Sequence, residues 1–214
     1  MPAEVLLATR NPHKLAELRR ILAEVQPDLR VLGLDDAVPY EEVPETGATF
    51  ADNAVTKARV GAEATGLITV ADDSGLEVDA LNGMPGVLSA RWSGRHGDDA
   101  ANLRLLLDQI VDVPEGRRGA AFVCAAALAT PDGGQVVVEG RMPGRLVRQP
   151  RGQNGFGYDP IFVAEGKTLT NGELPSAEKD AISHRGKALR AIAPHVLEAV
   201  GRASGRTSDG MINP

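Results

Sequence analysis

A charge-free run from Gly119 to Ala129 constrains the fold more than any other feature of this sequence. Its side chains are apolar or small, and it is shorter than the ~20 residues that a membrane-spanning helix needs. A turn sequence, Pro-Asp-Gly-Gly at residues 131–134, separates it from a second strand-like run at residues 135–139. Two runs joined by such a turn predict a β-hairpin inside a buried sheet.

Strand-like and helix-like segments alternate before that hairpin. Residues 5–8 form a short apolar run, and apolar residues then recur at steps of three and four from Leu15 to Val25, which is typical of an amphipathic helix. Asn11 suits the N-cap of this helix, and Pro12 suits its first position. The sequence therefore predicts a strand, a tight turn and a helix.

The same periodicities predict further elements along the chain. Thr49 and Asp52 form a capping-box pattern for a helix that Gly66 closes. The remaining predictions are short strands at residues 30–34, 67–71 and 161–163, and helices at residues 98–110 and from Ser183 towards Val200.

This order of elements, over a length of 214 residues, predicts the fold class. Helices alternate with strands in the first half and a hairpin dominates the second, which indicates a layered α/β fold with a mixed sheet. We expect a single domain over residues 1–200. We also expect a flexible tail over residues 201–214, because these residues are small and polar.

Composition excludes several classes of function. The net charge of -6 leaves no general basic surface for duplex nucleic acid. The single cysteine, Cys124, cannot form an internal disulfide, which fits a reducing compartment. An acidic residue near the start, Glu4, argues against a signal peptide, so we expect a cytoplasmic protein with neither a membrane nor a nucleic acid as partner.

The sequence lacks the usual motifs for transition metals and for nucleophilic serine. It has no paired cysteines, no His-Glu-x-x-His and no glycine-flanked serine. Residues 166–168, Gly-Lys-Thr, resemble the end of a P-loop, but Ile161 occupies the position of its first glycine. A metal site would therefore use oxygen ligands, for which Mg²⁺ is the natural ion.

The first candidate site is the turn at residues 8–14, Ala-Thr-Arg-Asn-Pro-His-Lys. Free backbone N–H groups and the positive end of the helix dipole attract a phosphate there, and Lys14 adds a full charge. An ordinary capped helix with a solvated Lys14 explains the same residues. Phosphate binding is therefore one of two interpretations of this segment alone.

A second candidate is the pair Asp72 and Asp73, which directly follows a hydrophobic strand and precedes Ser74 and Gly75. Ligands of open α/β sheets lie beyond such strand ends, and two neighbouring carboxylates are costly unless a cation neutralises them. One interpretation is therefore a cation site at the end of this strand; while the chain stays extended, neighbouring side chains point to opposite faces, so both aspartates need not contact the metal. Asp-Asp-Ser-Gly is also a good plain turn.

A third candidate lies on the second predicted helix. Thr49, Asn53 and Lys57 recur every four residues, so they share one helix face, beside an acidic loop that contains Glu45. This spacing places a cation close to the acidic loop. A solvated helix face explains the same pattern.

Two further candidates lie late in the chain. Residues 154–160, Asn-Gly-Phe-Gly-Tyr-Asp-Pro, place Phe156 in a glycine-rich loop, where its ring either stacks on a nucleobase or fills the core. At the start of the last helix, Arg185 has the geometry to bind a phosphate or a base carbonyl, and His184 can bond to either. A basic residue at a helix N-terminus opposes the dipole, which favours a compensating anion.

Taken together, these segments resemble the inosine triphosphate pyrophosphatase family, from residue 5 to about residue 200. The matching segments are Ala8-Thr9-x-Asn11…Lys14, Glu45-Thr46-Gly47, Asn53…Lys57-Ala58, Ala71-Asp72-Asp73-Ser74-Gly75-Leu76, Pro85-Gly86…Ser89-Ala90-Arg91, Gly155-Phe156-Gly157-Tyr158-Asp159-Pro160 and Ser183-His184-Arg185-Gly186. Each motif alone is weak evidence, but this many in family order and spacing are strong. Members of the family hydrolyse non-standard purine nucleoside triphosphates such as ITP, dITP and XTP to the monophosphate and pyrophosphate.

The resemblance also implies a fold and a set of roles. The fold is an elongated mixed sheet flanked by helices, with two lobes and a cleft between them, and members are commonly homodimers. Glu45, Asp73 and Asp72 would form the Mg²⁺ site, and Asp73 would be the catalytic base for the attacking water. The residues implied in substrate binding are Thr9, Arg10, Asn11, Pro12, His13, Lys14, Asn53, Lys57, Ser74, Phe156, Gly157, Tyr158, Asp159, Lys179, His184 and Arg185.

One position departs from the family pattern. The family usually has glycine after the threonine of the first loop, where this chain has Arg10, which restricts the turn and adds charge beside the phosphates. Two alternatives stay open: a pyrophosphatase for modified pyrimidine nucleotides, and a nucleotide-binding module without hydrolysis. A binding module has no need of Glu45, Asp72 and Asp73 together with Lys57.

Overall fold

The structure, a computed structural model, describes residues 3–24 and 26–205, without the side chain of His13. In this part of the chain the strands are β1 Glu4–Leu7, β2 Arg30–Leu32, β3 Ile68–Val78, β4 Gly119–Ala129, β5 Gln135–Leu146 and β6 Phe162–Ala164. The α-helices are α1 Pro12–Ala23, α2 Phe50–Thr65, α3 Asp99–Gln109, α4 Ser176–Ile182 and α5 His184–Ala203. None of the helices in these ranges is long and apolar enough to cross a lipid bilayer.

The strands form one sheet in the order β2-β1-β3-β4-β5-β6. β1 pairs in parallel with β2 and β3, and every pair from β3 to β6 is antiparallel. The predicted hairpin is confirmed, because β4 and β5 pair from Gly119↔Arg145 to Ala129↔Gln135. The predicted α/β fold with a mixed sheet flanked by helices is therefore the observed one.

Helices and further apolar residues cover both faces of β4, which explains its lack of charge. On one face, Cys124 and Leu128 belong to an apolar cluster with α1 and α5. On the other, Ala125 and Ala127 pack with alanines of α2. A third cluster, which includes Phe122, joins α3 to β6 and forms the core of the second lobe. Small side chains on β4 allow helices to approach the sheet from both sides.

The predicted ends of the first two helices are confirmed at atomic detail. Thr49 Oγ1 accepts a hydrogen bond of 3.1 Å from the Asp52 amide, and Gly66 ends α2 with a φ of 69°. Asn11 Oδ1 accepts a hydrogen bond of 3.3 Å from the Lys14 amide and so caps α1. Local capping chemistry therefore fixes where both helices begin.

The prediction of a turn at residues 72–75 is wrong. β3 continues through these residues, because β4 pairs with it without interruption from Thr69 to Val78. Its parallel partner β1 ends opposite Val70. Both aspartates therefore lie in an extended strand rather than on a turn. They also lie just beyond the end of β1, where, within the described residues, β3 has no strand beside it on that edge.

Smaller differences concern the element ends. Residues Leu34–Asp36 form a 3₁₀ turn where the second predicted strand was expected to end, and α4 was not predicted. α5 begins as predicted, with the Ser183 hydroxyl accepting a hydrogen bond of 2.9 Å from the Gly186 amide, and continues to Ala203. The first residues of the predicted tail are therefore helical, and residues 206–214 lie outside the described part of the chain.

Gly140 of β5 determines how closely α5 approaches the sheet. A Cβ atom there would lie 2.1 Å from the His184 carbonyl oxygen and 2.5 Å from the Ala188 nitrogen. We predict that Gly140→Ala lowers the free energy of unfolding by about 2 kcal/mol, because backbone atoms of the strand and the helix must move apart. Urea unfolding measures this difference.

Gly116→Ala is the matched control, since a Cβ atom at Gly116 would meet nothing within 4 Å. This control is expected to leave the free energy of unfolding unchanged or slightly higher. Equal stability of the two variants would contradict the close packing of α5 on β5.

Candidate active site

Asp72 and Asp73 lie at the centre of the candidate site and face opposite sides of β3, because neighbouring side chains alternate along a strand. Asp72 Oδ2 lies 2.7 Å from Lys14 Nζ and 3.6 Å from Arg185 Nε. Asp73 Oδ2 accepts a hydrogen bond of 2.8 Å from Asn53 Nδ2. The strand therefore directs one carboxylate towards α1 and α5 and the other towards α2.

Asp72 is buried and ionised. Burial by itself would raise the pKa of its carboxyl, but the charges of Lys14 and Arg185 outweigh this effect and lower the pKa to about 2. The neighbouring Cys124 remains a neutral thiol, because burial raises its pKa well above the ordinary value. One carboxylate therefore holds together a cation at the start of α1 and a cation at the start of α5.

The pKa of Asp73 is shifted in the opposite direction to that of Asp72, because burial outweighs the neighbouring positive charges. Burial raises the pKa of its carboxyl, Lys57 and Asn53 offset only part of this rise, and Glu45 adds to it. Its second oxygen accepts a hydrogen bond of 2.9 Å from the Ser74 amide. A buried and oriented carboxylate with a raised pKa is well suited to accept a proton.

Lys57 connects the acidic loop to β3. Its ammonium donates hydrogen bonds to Glu45 Oε1 at 2.8 Å and to the Asp72 carbonyl oxygen at 2.6 Å. Arg91 contacts the same loop residue, with Nη2 3.2 Å from the Glu45 carbonyl oxygen. Burial raises the pKa of the Glu45 carboxyl, but Lys57 and Arg91 outweigh it and lower that pKa, so Glu45 is ionised.

Glu45 and Asp73 fit a magnesium ion that is shared with a substrate. Lys57 Nζ binds both Glu45 Oε1 and the Asp72 carbonyl oxygen, which belongs to the peptide before Asp73, so these groups lie in one region. In the described ranges, no three His, Cys, Asp or Glu side chains are arranged to hold a metal ion. Mg²⁺ is commonly bound by one or two carboxylates, water and substrate phosphates, which matches a set of two.

Asp72 does not belong to this set, although the resemblance placed it there. Its carboxylate lies on the other side of β3, against Lys14 and Arg185. Because neighbouring side chains of an extended strand alternate, the carboxylates of Asp72 and Asp73 point to opposite faces of β3 and do not share one ion. The structure therefore gives Asp72 the position of a residue that holds cations in place.

The turn before α1 has the geometry of an anion site. Thr9 Oγ1 accepts a hydrogen bond of 3.2 Å from the Asn11 amide, and Pro12 is the first residue of the helix. Lys14 lies in the first turn of α1. Backbone N–H groups and a nearby ammonium favour a phosphate at this helix end. The predicted contribution of His13 lies outside the described side chains.

Arg10 points away from this anion site. Its Nε lies 2.8 Å from Glu42 Oε1 and its Nη1 lies 3.0 Å from Asp35 Oδ1, while 64% of its side chain is exposed. The prediction that Arg10 binds substrate is therefore not supported by this geometry. The turn accommodates the arginine by directing it outward onto acidic residues of the next loop.

A cleft of about 670 Å³ lies between the lobes and opens beside Ser74 of β3. Its lining contains nine of the predicted substrate-binding residues, from five separate segments, namely Asn11, Ser74, Phe156, Gly157, Tyr158, Asp159, Lys179, His184 and Arg185. This part of the predicted set therefore converges on one concave surface, as expected of a ligand site.

Residues 154–159, hereafter the base loop, present an aromatic ring in this cleft. Phe156 is 60% exposed, and Lys179 Nζ lies 4.9 Å from the centre of its ring. Asp159 is buried; its Oδ2 accepts a hydrogen bond of 2.9 Å from the Phe156 amide and pairs with Lys179. The exposed ring favours the stacking interpretation of Phe156 over the core interpretation.

Tyr158 follows the other interpretation. Its ring is buried, its hydroxyl donates a hydrogen bond of 3.0 Å to the Ser89 carbonyl oxygen, and burial raises its pKa. Tyr158 therefore anchors the base loop. Only part of the Tyr158 ring borders the cleft, so the predicted contact with substrate is limited to that part.

Several buried polar atoms around the cleft lack a hydrogen-bond partner. They are Nδ1 of His184, Nε of Arg185 and Oε1 of Glu17. The His184 ring stacks on Phe122 at 5.1 Å, and burial lowers its pKa to about 3, so it is neutral near pH 7. Buried polar groups are normally satisfied, so these atoms point to a ligand that supplies the missing partners.

Three residues of the site were not among the predicted ones. Glu17 lies three residues after Lys14, so helical periodicity alone places it on the same face of α1. Arg91 and Asp99 reach the site through contacts with residues far away in the sequence, namely the acidic loop and the base loop. No local pattern indicates such contacts.

Comparison with known proteins matches residues 5–195 to the model of the Ham1 family. A dITP/XTP pyrophosphatase of Mycobacteroides abscessus is 62% identical over 198 residues, 92% of this chain and 96% of the relative. A dITP/XTP pyrophosphatase of Nocardia farcinica is 60% identical over 206 residues, which is 96% and 98% of the two chains.

Solved structures match the fold as well. A crystal structure titled nucleoside-triphosphatase / dITP/XTP pyrophosphatase from Mycobacterium abscessus has a TM-score of 0.77 at 63% identity, and the match covers 89% of this chain and 99% of that chain. A HAM1 protein from Coxiella burnetii has a TM-score of 0.84 at 39% identity, with 92% and 99% covered. The similarity therefore extends over nearly the whole fold.

The low pKa of Asp72 predicts a specific dependence of stability on pH. Its folded pKa, about 2, lies below the ordinary aspartate value of 3.8, so its contribution is present above pH 4 and is lost as the pH falls towards 2. Between pH 5 and pH 3 this carboxyl accounts for about 1 kcal/mol of lost stability in the wild-type protein. Asp72→Asn is expected to lack that portion of the pH dependence.

Urea unfolding at pH 5, 4 and 3 measures the difference between the two proteins. Asp108→Asn, on the exposed end of α3, is the control and is expected to follow the wild-type pH dependence. An unchanged pH dependence in Asp72→Asn would mean that Lys14 and Arg185 do not stabilise this carboxylate.

Proposed function

The chain belongs to the Ham1 family, and from this premise we propose that it hydrolyses non-standard purine nucleoside triphosphates such as ITP, dITP and XTP to the monophosphate and pyrophosphate. The observation that carries the proposal is the convergence of Glu45, Lys57 and Asp73 beside a cleft that presents Phe156. Such an enzyme removes unusual nucleotides from the nucleotide pool.

The phosphates bind between α1 and α2 in this proposal. The start of α1 contributes the positive end of the helix dipole, and Lys14 and Lys57 supply positive charge from two directions. Both ammonium groups are held by acidic groups, Lys14 by Asp72 and Lys57 by Glu45. They are therefore positioned before the substrate arrives, which reduces the entropic cost of binding.

Glu45 and Asp73 would hold Mg²⁺ together with the phosphates. Bound magnesium neutralises charge on the phosphate oxygens and polarises the bond that breaks. The residues of the chain contribute oxygen ligands in a partly buried setting, where electrostatic interactions are stronger than in water.

Asp73 acts as the base for the attacking water. Asn53 Nδ2 donates a hydrogen bond to one of its oxygens and thereby fixes the orientation of the carboxylate. Attack at the α-phosphorus expels pyrophosphate, and the negative charge that develops on the leaving group is stabilised by Lys14 and Lys57. Hydrogen bonds from Asn53 and from the Ser74 amide hold the Asp73 carboxylate in place to accept the proton from water.

The base loop recognises the purine. Phe156 stacks on the base, and Lys179 and Arg185 offer donors for its 6-oxo group. Neutral His184 offers either a donor or an acceptor, according to its tautomer. Adenine carries an amino group at the same position, which cannot accept these hydrogen bonds, so ATP is discriminated against.

The wider setting completes the proposal. We propose one two-lobed domain over residues 1–200, a homodimer, a cytoplasmic location, and neither nucleic acid nor membrane as a partner. Reducing conditions suit the single buried Cys124, and the net charge of -6 suits a protein that handles small anions with a few placed cations.

A substrate panel tests the reaction. ITP, XTP, GTP, dTTP and UTP are supplied with Mg²⁺, and released pyrophosphate is measured with added inorganic pyrophosphatase. We expect rapid release from ITP and XTP and little from dTTP and UTP. Preferred hydrolysis of dTTP or UTP would contradict the purine assignment, and stoichiometric binding without pyrophosphate would contradict hydrolysis.

Asp73→Asn tests the role of Asp73 as the catalytic base in the same assay. We predict that kcat for ITP falls by at least about a hundredfold, because a positioned general base contributes roughly 10²–10⁴-fold. The fold is expected to survive, since an asparagine oxygen can still accept the hydrogen bond from Asn53. Glu63→Gln on the exposed face of α2 is the control. Near-normal turnover in Asp73→Asn would remove Asp73 from the mechanism.

A further inference from the structure

One contact to the base loop comes from the start of α3. The Gly157 amide donates a hydrogen bond of 2.8 Å to Oδ2 of Asp99. Asp99 is the first residue of α3, lies 58 positions away in the sequence, and borders the cleft. The contact therefore connects the base loop to a separate element of the second lobe.

Helix α3 does not need the Asp99 side chain for its own N-terminal cap. That cap is Asp98, whose Oδ1 accepts a hydrogen bond of 3.0 Å from the Ala101 amide. A carboxylate at the first helical position is favourable for the helix dipole, but it has no fixed partner within the helix. The side chain of Asp99 is therefore available to contact the base loop.

The base loop has little regular structure to fix its position. Gly155 and Gly157 have φ values of 75° and 60°, a conformation that favours glycine and belongs to no helix or strand. The hydrogen bond from the Phe156 amide to Asp159 lies within the loop itself and cannot fix the loop relative to the cleft. Contacts from outside are needed for that.

Leu174 and Lys179 meet this need at the two ends of the loop, by a hydrogen bond with Asn154 and an ion pair with Asp159. Asp99 and Ser89 meet it in the segment that follows Phe156. Asp99 binds the Gly157 amide, which directly follows Phe156, and the Ser89 carbonyl oxygen binds the Tyr158 hydroxyl at 3.0 Å. The Ser89 contact lies in the buried interior, whereas the Asp99 contact lies at the cleft surface next to the exposed ring. Asp99 is thus the side chain that binds the peptide directly after the exposed ring.

We propose that Asp99 is a positioning residue for base recognition, which holds the Gly157 amide and thereby sets the position of the Phe156 ring over the cleft. This inference rests on the proposed function. It concerns binding of the base and leaves the phosphates and the reacting atoms untouched. Loss of the contact therefore weakens substrate and product binding to a similar extent, which raises KM and leaves kcat nearly unchanged.

The test compares Asp99→Ala, Asp99→Asn and Asp108→Ala. Asp108 lies near the opposite end of the same helix on an exposed surface, so its variant removes the same charge from α3 without touching the base loop. We expect Asp99→Ala to raise KM for ITP about tenfold with kcat within about twofold, because a hydrogen bond to a charged group is lost. Asp99→Asn keeps an acceptor oxygen, so its KM for ITP is expected to return most of the way to the wild-type value. Asp108→Ala is expected to have the KM and kcat of the wild-type protein.

Inorganic tripolyphosphate separates positioning of the base loop from general damage. As a competitive inhibitor without a base, it is expected to bind Asp99→Ala as tightly as the wild-type protein. A wild-type KM in Asp99→Ala, or an equal loss of tripolyphosphate affinity, overturns the inference.

The affinity for IMP, measured by calorimetry, tests the same contact without turnover. We expect it to be about tenfold lower in Asp99→Ala than in the wild-type protein. A wild-type protein that fails to hydrolyse ITP would therefore refute the proposed function, while IMP binding still decides the role of Asp99. Equal IMP affinity in the wild-type protein and Asp99→Ala overturns the inference.

Discussion

The uninterrupted pairing of β3 with β4 is the constraint on which the rest of the site depends. Because the strand stays extended through Asp72 and Asp73, two adjacent carboxylates face opposite sides of one sheet. Had the chain turned at this point, both charges would have shared one environment. The extended strand instead gives each carboxylate its own helix, its own cations and its own protonation behaviour. The alanine-rich β4 makes this possible, because its small side chains let helices approach both faces.

The two environments divide the work of the site. On one side, Asp72 is strongly ionised and holds cations at the starts of α1 and α5, Lys14 and Arg185. On the other side, Asp73 is less acidic and lies near Glu45 and Lys57. Opposite pKa shifts in neighbouring carboxyl groups are a recurrent means of assigning one to structure and the other to proton transfer.

Local chemistry determined what could be predicted from the sequence. The cap at Thr49, the turn before α1 and the central hairpin depend on neighbouring residues, and each was predicted correctly. The course of β3 through Asp72 was not, because a polar turn sequence became a strand once β4 supplied continuous hydrogen bonds. The outward direction of Arg10, the burial of Tyr158 and the contact of Asp99 with the base loop likewise depend on residues distant in sequence. Motif spacing identifies such residues but does not determine which way their side chains point.

The division between the two carboxylates is tested most directly by metal binding in the presence of inorganic tripolyphosphate. Mn²⁺ replaces Mg²⁺ as a spectroscopically visible ion, and its affinity is measured by electron paramagnetic resonance for the wild-type protein, Asp72→Asn and Asp73→Asn. The account predicts at least about tenfold weaker Mn²⁺ binding in Asp73→Asn and nearly normal Mn²⁺ binding in Asp72→Asn at saturating tripolyphosphate. Equal losses in both variants, or a loss confined to Asp72→Asn, would contradict it.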